Sequence, residues 1–397
     1  MNPKLTARWT EATLKAARFQ ADPVADRVVA QVYATGAVND VNRMMMSLVH
    51  PGRVQLDPAM QDLLDDYLAQ TAELPDWADP EKIRQAEVFF SSHGVLSSAI
   101  LCCASLPECY LDASDAPVLS STTQLTKHFD RRLFETSHMV VTAMQEGGMA
   151  PGGPGVLCTQ RVRLMHAGVR RLLTANAEAA ARGDLDPTGQ PVTSPWKMTA
   201  GVPICQEAMA FVVLSFSYVG VRSLERLGYT PDAALRDAYI HTWSVIGHVM
   251  GVREELLVHS FDEAQRLFET IKAGKRGASS DGVALTAAML AWMDAVLPEA
   301  MQALPRELLV QLMGEADSAL LGVSLDRKLH EDESFWSHAV HGLLDVVEPL
   351  LHLPVAQRMS EMLFHLLTKI VWSRQKEWDA EAFALPPSLR EHWKIAL

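Results

Sequence analysis

Apolar residues recur at threes and fours along most of this chain, and that spacing restricts it to helices. "DPAMQDLLDDYLAQ", "IRQAEVFFSSHGVLSSAILCCASL", "PICQEAMAFVVLSFSYVGVRSLERLG", "SSDGVALTAAMLAWMDAVL" and "LPRELLVQLMGEADSALLGV" each gather apolar side chains on one helical face. Alternating strand patterns bounded by hairpin turns are absent over any useful length. The stops are legible as well. Gly228 follows a helix ending in Glu225-Arg226-Leu227, and Pro231 with Asp232 opens the next. The expected fold is all-α. The main breaks are "EGGMAPGGPG" at 146–155 and "RGDLDPTGQPVTSPW" at 182–196, and neither is flanked by a shift in composition. A single all-α domain over 1–397 is therefore expected, with about 80–275 as a central core and 1–80 and 276–397 as flanking helices.

Composition removes several function classes. Of 397 residues 48% are hydrophobic, enough for a sizeable core. The formal net charge of −13 argues against general affinity for nucleic acid phosphates. The five cysteines (Cys102, Cys103, Cys109, Cys158 and Cys205) form no Cys-x-x-Cys or Cys-x-x-Cys-His pattern. That excludes zinc fingers and covalent c-type haem, and leaves reduced, partly buried thiols as the expectation. The opening "MNPKLTARWTEATLKAARF" is amphipathic, with no apolar export region and no cleavage site. The best apolar stretch, "EMLFHLLTKIVW", is short and carries His365 and Lys369. The sequence as written reads as cytoplasmic with no membrane span, although a trimmed export signal would leave the same sequence. The break at 146–155 has the glycines of a phosphate loop but lacks its Gly-Lys-Ser/Thr ending, so an interhelix loop is expected.

Chemistry concentrates in two adjacent segments. In "QRVRLMHAGVRRLL" His166 has Val162, Arg163, Val169 and Arg170 as its neighbours one turn away. An axial imidazole, an apolar wall for a porphyrin and cations for its propionates are what haem b requires. The same features also describe a core histidine with a hydrogen bond. In "KHFDRRLFETSHMVVTAM", Arg132, Glu135 and Thr136 share one polar face of an otherwise apolar helix. Such a face lines a polar pocket or meets water. Glu135-x-x-His138 is half of a carboxylate-bridged di-iron motif, but the second Glu-x-x-His is missing. His338-x-x-His341 has metal-like spacing without an evident third ligand. His241 and His248, seven apart on one helix, suit packing better than ligation. No Gly-x-Ser-x-Gly and no convincing Cys/His nucleophile arrangement occurs.

The strings "DPVADRVVAQVYATGAVNDVNRMM", "LPDWADPEKI", "SLPECYL", "RVRLMHAGVR", "GVPICQEAM", "SLERLGY", "YIHTWSVIGHVMGV" and "LPRELLVQLMGEADSALLGV" occur here in that order. The ordered set resembles the latex clearing protein (rubber oxygenase) family, within a wider superfamily of oxygenases that cut prenyl chains. The resemblance runs from about residue 20 to about 325. It implies a globin-like helical core holding non-covalent haem b. It also implies use of O2 to cleave C=C bonds of a polyisoprenoid or related lipophilic alkene into aldehyde and ketone ends. The histidine of the Arg-x-Arg-x-x-His string is the family's proximal iron ligand, which gives that role to His166. Arg163 or Arg170 would then meet the propionates, by helix geometry.

One departure bears on the chemistry. The family's distal Arg-x-x-Lys-Thr motif reads Arg132-Leu-Phe-Glu135-Thr136 here. A carboxylate in place of an amine is a harder oxygen donor, and its charge stabilises ferric over ferrous iron. Alternatively, Glu135 pairs with Arg132 or acts as the base for an allylic proton. The base's usual upstream position has no clear match; Glu108, Asp112 and Asp115 are nearby carboxylates. A haem-binding sensor or carrier without oxygenase chemistry is the main alternative, and a cofactor-free helical protein with a structural His166 is the third.

Overall fold

The structure is a computed structural model that describes residues 8–34, 43–44, 47, 54–121, 129–186, 188–297 and 299–324. His338-x-x-His341 and "EMLFHLLTKIVW" lie outside the described residues. Among the described residues no strand forms; there are two isolated bridges, Asp112 with Arg276 and Leu185 with Pro191. The all-α expectation agrees with this.

The chain enters through α1 (Glu11–Ala17), α2 (Pro23–Ala34) and α3 (Pro58–Gln70). Helix α4 (Pro80–Ser92) then bends by 87° at His93 into a second run. That run comprises α5 (Gly94–Ile100), a π-helical turn (Leu101–Ser105) and α6 (Leu106–Tyr110), followed by a short α7 (Ala116–Ser121). Helices α8 (Phe129–Met144) and α9 (Pro154–Arg182) pack together through a short turn, which makes them antiparallel. They are followed by α10 (Gln206–Arg226), α11 (Ala233–Val249), α12 (Phe261–Lys275), α13 (Ser280–Val296), α14 (Leu304–Met313) and α15 (Glu315–Leu320).

The starts follow from local chemistry. Asp57, Asp79, Asp232, Ser260 and Ser279 each accept a hydrogen bond from a first-turn N–H that the helix itself leaves unpaired. Pro58 and Pro80 sit where a missing N–H costs nothing. Helix α10 is the axis of the main core, which draws apolar side chains from Trp9 through Val323. By length and composition α10 is apolar enough to cross a membrane, and 83% of its apolar window is buried inside the protein.

The turn between α8 and α9 shows why its glycines do not make a phosphate site. The N–H groups of Gly147 and Met149 donate to the Glu87 carboxylate of α4 at 2.9 and 3.0 Å. A protein anion already occupies the amide cluster. Burial pushes the Glu87 carboxyl above its ordinary value, and those N–H groups oppose the shift.

Ion pairs tie the outer helices to α10. Lys275 binds Asp112 at 2.7 Å and also Asp115, while Arg18 meets Glu207 at 2.5 Å. Glu108, fully buried, takes Arg222 and Lys272, each at 2.8 Å. The upstream carboxylates are therefore salt-bridged members of the frame. All five cysteines are free, and burial raises the pKa of each, Cys102 to about 12 and Cys158 to about 11 among them.

His241 is a packing residue with a defined protonation state. Its Nε2 accepts the Asp79 N–H at 2.9 Å, joining α11 to the start of α4, and Trp77 meets its ring edge-on at 5.5 Å. Trp77 also touches His248 and His259. Burial first, and Lys82 second, lower the His241 pKa to about 4 from 6.5. Because the folded value lies below the unfolded one, this contribution to stability is complete above about pH 6.5 and is lost as pH falls through about 4. Thermal midpoints measured from pH 8 to pH 4 should fall over that window, and His241→Gln should flatten the fall. An equally steep fall in the variant would assign it to other groups.

Candidate functional site

The site is built on α9, whose 29 residues present different faces to different layers. Leu164 and Ala167 are buried against α2 and α3. Val162 packs on the main core, and Val169 joins Val118, Leu173 and Trp196. His166 lies between these faces, half-buried, with its Nδ1 out of water.

Rotation of α9 is set by two guanidinium groups. Arg163 Nε and Nη2 donate to the Asp22 carboxylate at 2.5 and 2.8 Å, and Nη1 donates to the Val249 carbonyl at 3.3 Å. Arg170 pairs through Nη1 with Asp26, while Nε and Nη2 donate to the carbonyls of Pro203 and Ile204 at 3.2 and 3.0 Å. Burial disfavours the Arg163 charge, but Asp22 outweighs it and the pKa is raised. Asp26, half-buried, is raised by burial against the pull of Arg170. The expected contact of Arg163 or Arg170 with haem propionates is a separate proposal from these protein contacts. Both forks are engaged with α2 and with backbone carbonyls, so they clamp the turn that carries His166.

Two backbone details accommodate the clamp. Gly251 has φ +87, and a Cβ there would lie 2.5 Å from both Arg163 Nε and Asp22 Oδ2. Ile204 has φ 53, a left-handed conformation that a β-branched residue adopts only at a cost, and its carbonyl faces Arg170. Gln206 completes the knot: its amide donates to the carbonyls of Ala21 and Gly251 and accepts the Arg253 N–H.

Helix α8 supplies the opposing side. A Cβ on Gly155 would lie 2.7 Å from the Ala143 Cα, so the two helix backbones touch beside their connecting turn. His166 lies about three turns, roughly 16 Å, along α9 from that contact. Arg132 lies the same number of residues back along α8 from that contact as His166 lies forward along α9. Glu135 and Thr136 are half-buried there; for Arg132 the helix position alone is described. One turn further on, Met139 and Val140 are buried. Val140 reaches the wall of a small apolar cavity of about 30 Å³. Periodicity alone gave no sign of this cavity, because its wall comes from α4, α5, α8, α10 and α11 and from the π-helical turn.

Among the described residues no group of three or more His, Cys, Asp or Glu could hold a metal ion. The di-iron reading of Glu135-x-x-His138 gains nothing from this fold, and burial lowers the His138 pKa. An iron held through His166 alone would need its other ligands from a prosthetic group. Haem, which brings four nitrogens of its own, fits a single imidazole beside apolar walls.

Residues 92–347 match the family described as "ER-bound oxygenase mpaB/B'/Rubber oxygenase, catalytic domain". The chain belongs to this oxygenase family. A "Rubber oxygenase" from Streptomyces sp. (strain K30) is 22% identical over 275 residues, covering 68% of this chain and 62% of that protein. The match thus spans less than two thirds of that relative's length. The solved structure of latex clearing protein LCP in the closed state superposes with a TM-score of 0.67 at 20% identity, over 88% of this chain and 91% of that one. At this identity the likeness shows the shared fold.

The clamp carries a stability prediction. Removing one partner of a buried ion pair strands the other, at about 3–5 kcal/mol. Arg163→Met should therefore lower the thermal midpoint strongly, with or without added hemin, and Asp22→Asn combined with it should recover part of the loss. A loss seen only in the presence of hemin would return Arg163 to cofactor binding.

Proposed function

We propose that this protein is a haem b-dependent dioxygenase that cleaves C=C bonds of an isoprenoid or related lipophilic alkene. Both atoms of O2 enter the products, one as an aldehyde oxygen and one as a ketone oxygen. What supports this reading is a half-buried His166 on α9, with half-buried Glu135 and Thr136 on the helix packed beside it, in a rubber oxygenase-family fold. His166 holds the iron in this reading, and the haem supplies the binding and activation of O2. Arg163 and Arg170 fix the rotation of the helix that carries His166. Val162 and Val169 give the porphyrin apolar contact. Thr136 offers a hydroxyl on the opposite side, and Glu135 brings a negative charge where the family motif has lysine. The buried Met139 and Val140 exclude water from the adjoining space.

Glu135 also favours a second reading, a haem-binding sensor or carrier that does not turn over alkenes. Product formation from a candidate isoprenoid under O2 separates the two: aldehyde and ketone products support the oxygenase, and haem retention without products supports the carrier.

Two variants test the site. His166→Ala should abolish the Soret band and the b-type pyridine haemochrome of the purified protein; full haem occupancy with an unchanged axial signature would remove the ligand assignment. Glu135→Lys should alter the resting haem spectrum, and an unchanged spectrum would place that side chain away from iron.

A further inference from the structure

Arg163 lies in a slot whose two walls come from distant parts of the chain. One wall is the segment ending in Asp22, whose carboxylate takes Arg163 and also accepts the N–H groups of Val24 and Ala25 at 3.3 and 3.4 Å. The other is the turn after α11, where Val249 offers a carbonyl and Gly251 leaves room for the guanidinium. A single side chain joins these walls. Gln206, at the start of α10, is 2% exposed. Its Nε2 donates to the Ala21 carbonyl at 3.1 Å on one wall and to the Gly251 carbonyl at 2.9 Å on the other. Its Oε1 accepts the Arg253 N–H at 2.8 Å, and its own backbone N–H donates to the Gln20 carbonyl at 2.9 Å.

Those partners fix the residue type. Two carbonyls demand two N–H donors, and one backbone N–H demands an acceptor on the same side chain. Glutamate has the reach and the acceptor but no donor when ionised; asparagine is a methylene short; methionine has the reach alone. Gln206 also bears on both arginines that flank His166. Ala21 adjoins Asp22, and a Cβ on Gly251 would lie 2.5 Å from Arg163 Nε, so a shift of either wall shifts Arg163. On the other side, Gln206 closes the loop whose Pro203 and Ile204 carbonyls accept from Arg170. Arg163 precedes His166 by one turn of α9 and Arg170 follows it by one.

We propose that Gln206 is a positioning residue for His166, acting through the slot that holds Arg163 and the loop that holds Arg170. The role rests on the reading above in which His166 holds the haem iron. Gln206 keeps the walls at the spacing that both guanidinium groups need, so that the turn of α9 between them has one placement. A buried amide lost here strands two carbonyls and an N–H, and the walls move to satisfy them.

Resonance Raman spectroscopy of the reduced, hemin-loaded protein tests this through the iron–histidine stretching band. Gln206→Met removes all three side-chain bonds. Gln206→Glu keeps the size and the bond from Arg253, which guards against an unfolded first variant. Ser244→Ala removes a buried hydrogen bond to the Val258 carbonyl at 2.6 Å, away from the slot, and is the control for lost stability alone. The band should shift or split in both Gln206 variants, more in Gln206→Met. Hemin affinity should fall about tenfold, the low end of what losing an outer partner of a metal ligand costs. Ser244→Ala should lower the thermal midpoint and leave the band in place. A parent-like band and parent-like hemin affinity in a folded Gln206 variant would overturn the proposal, and so would an equal band change in Ser244→Ala. A parent protein without an iron–histidine band would overturn the ligand reading on which the role rests, whereas a band present in the parent and unmoved in the variants would overturn the role alone.

Discussion

Two guanidinium groups buried between α2 and α9 set the geometry on which the candidate site depends. A charge taken out of water is tolerated when a counter-ion and hydrogen bonds satisfy it in full, so Arg163 and Arg170 fix whatever surrounds them. Arg163 needs Asp22 and the Val249 carbonyl, and it needs Gly251 to lack a side chain. Arg170 needs Asp26 and two carbonyls from a loop held with Ile204 left-handed. The ends of α2, α10 and α11 are thereby locked to the middle of α9. His166 lies between the two arginines in sequence, so the lock holds the turn of α9 that carries it.

The space opposite is decided by a second buried charge. Glu87 holds the α8–α9 turn through two backbone N–H groups, and Gly155 lets the helices touch there. That contact fixes where α8 and α9 meet beside their connecting turn. Since α4 supplies both Glu87 and two phenylalanines of the cavity wall, one helix aligns the hairpin and borders the apolar space beside it.

Much of this was readable from the chain. The helix start at Pro231-Asp232 and the stop at Gly228 are local signals, each a matter of one side chain and a few backbone groups. Family membership was legible for a related reason: the strings that carry it are short and ordered. The roles of their residues were harder to read. Helix geometry put Arg163 and Arg170 beside His166, and nothing local reveals that Asp22 and Asp26, well over a hundred residues earlier, face them. Glu108, Asp112 and Asp115 looked like available carboxylates for the same reason; Lys272 and Lys275, which neutralise them, are remote in sequence.

The sequence by itself determined the all-α class, the boundary at Gly228 and Asp232, the family resemblance, and His166 as the imidazole to watch, since periodicity, capping and motif order depend on neighbours within a few residues. Only the tertiary structure decided which charges are already neutralised, where α8 and α9 touch, and where a small apolar cavity remains. Those properties belong to pairs and groups of residues distant in the chain, and helical spacing carries no information about which faces will meet.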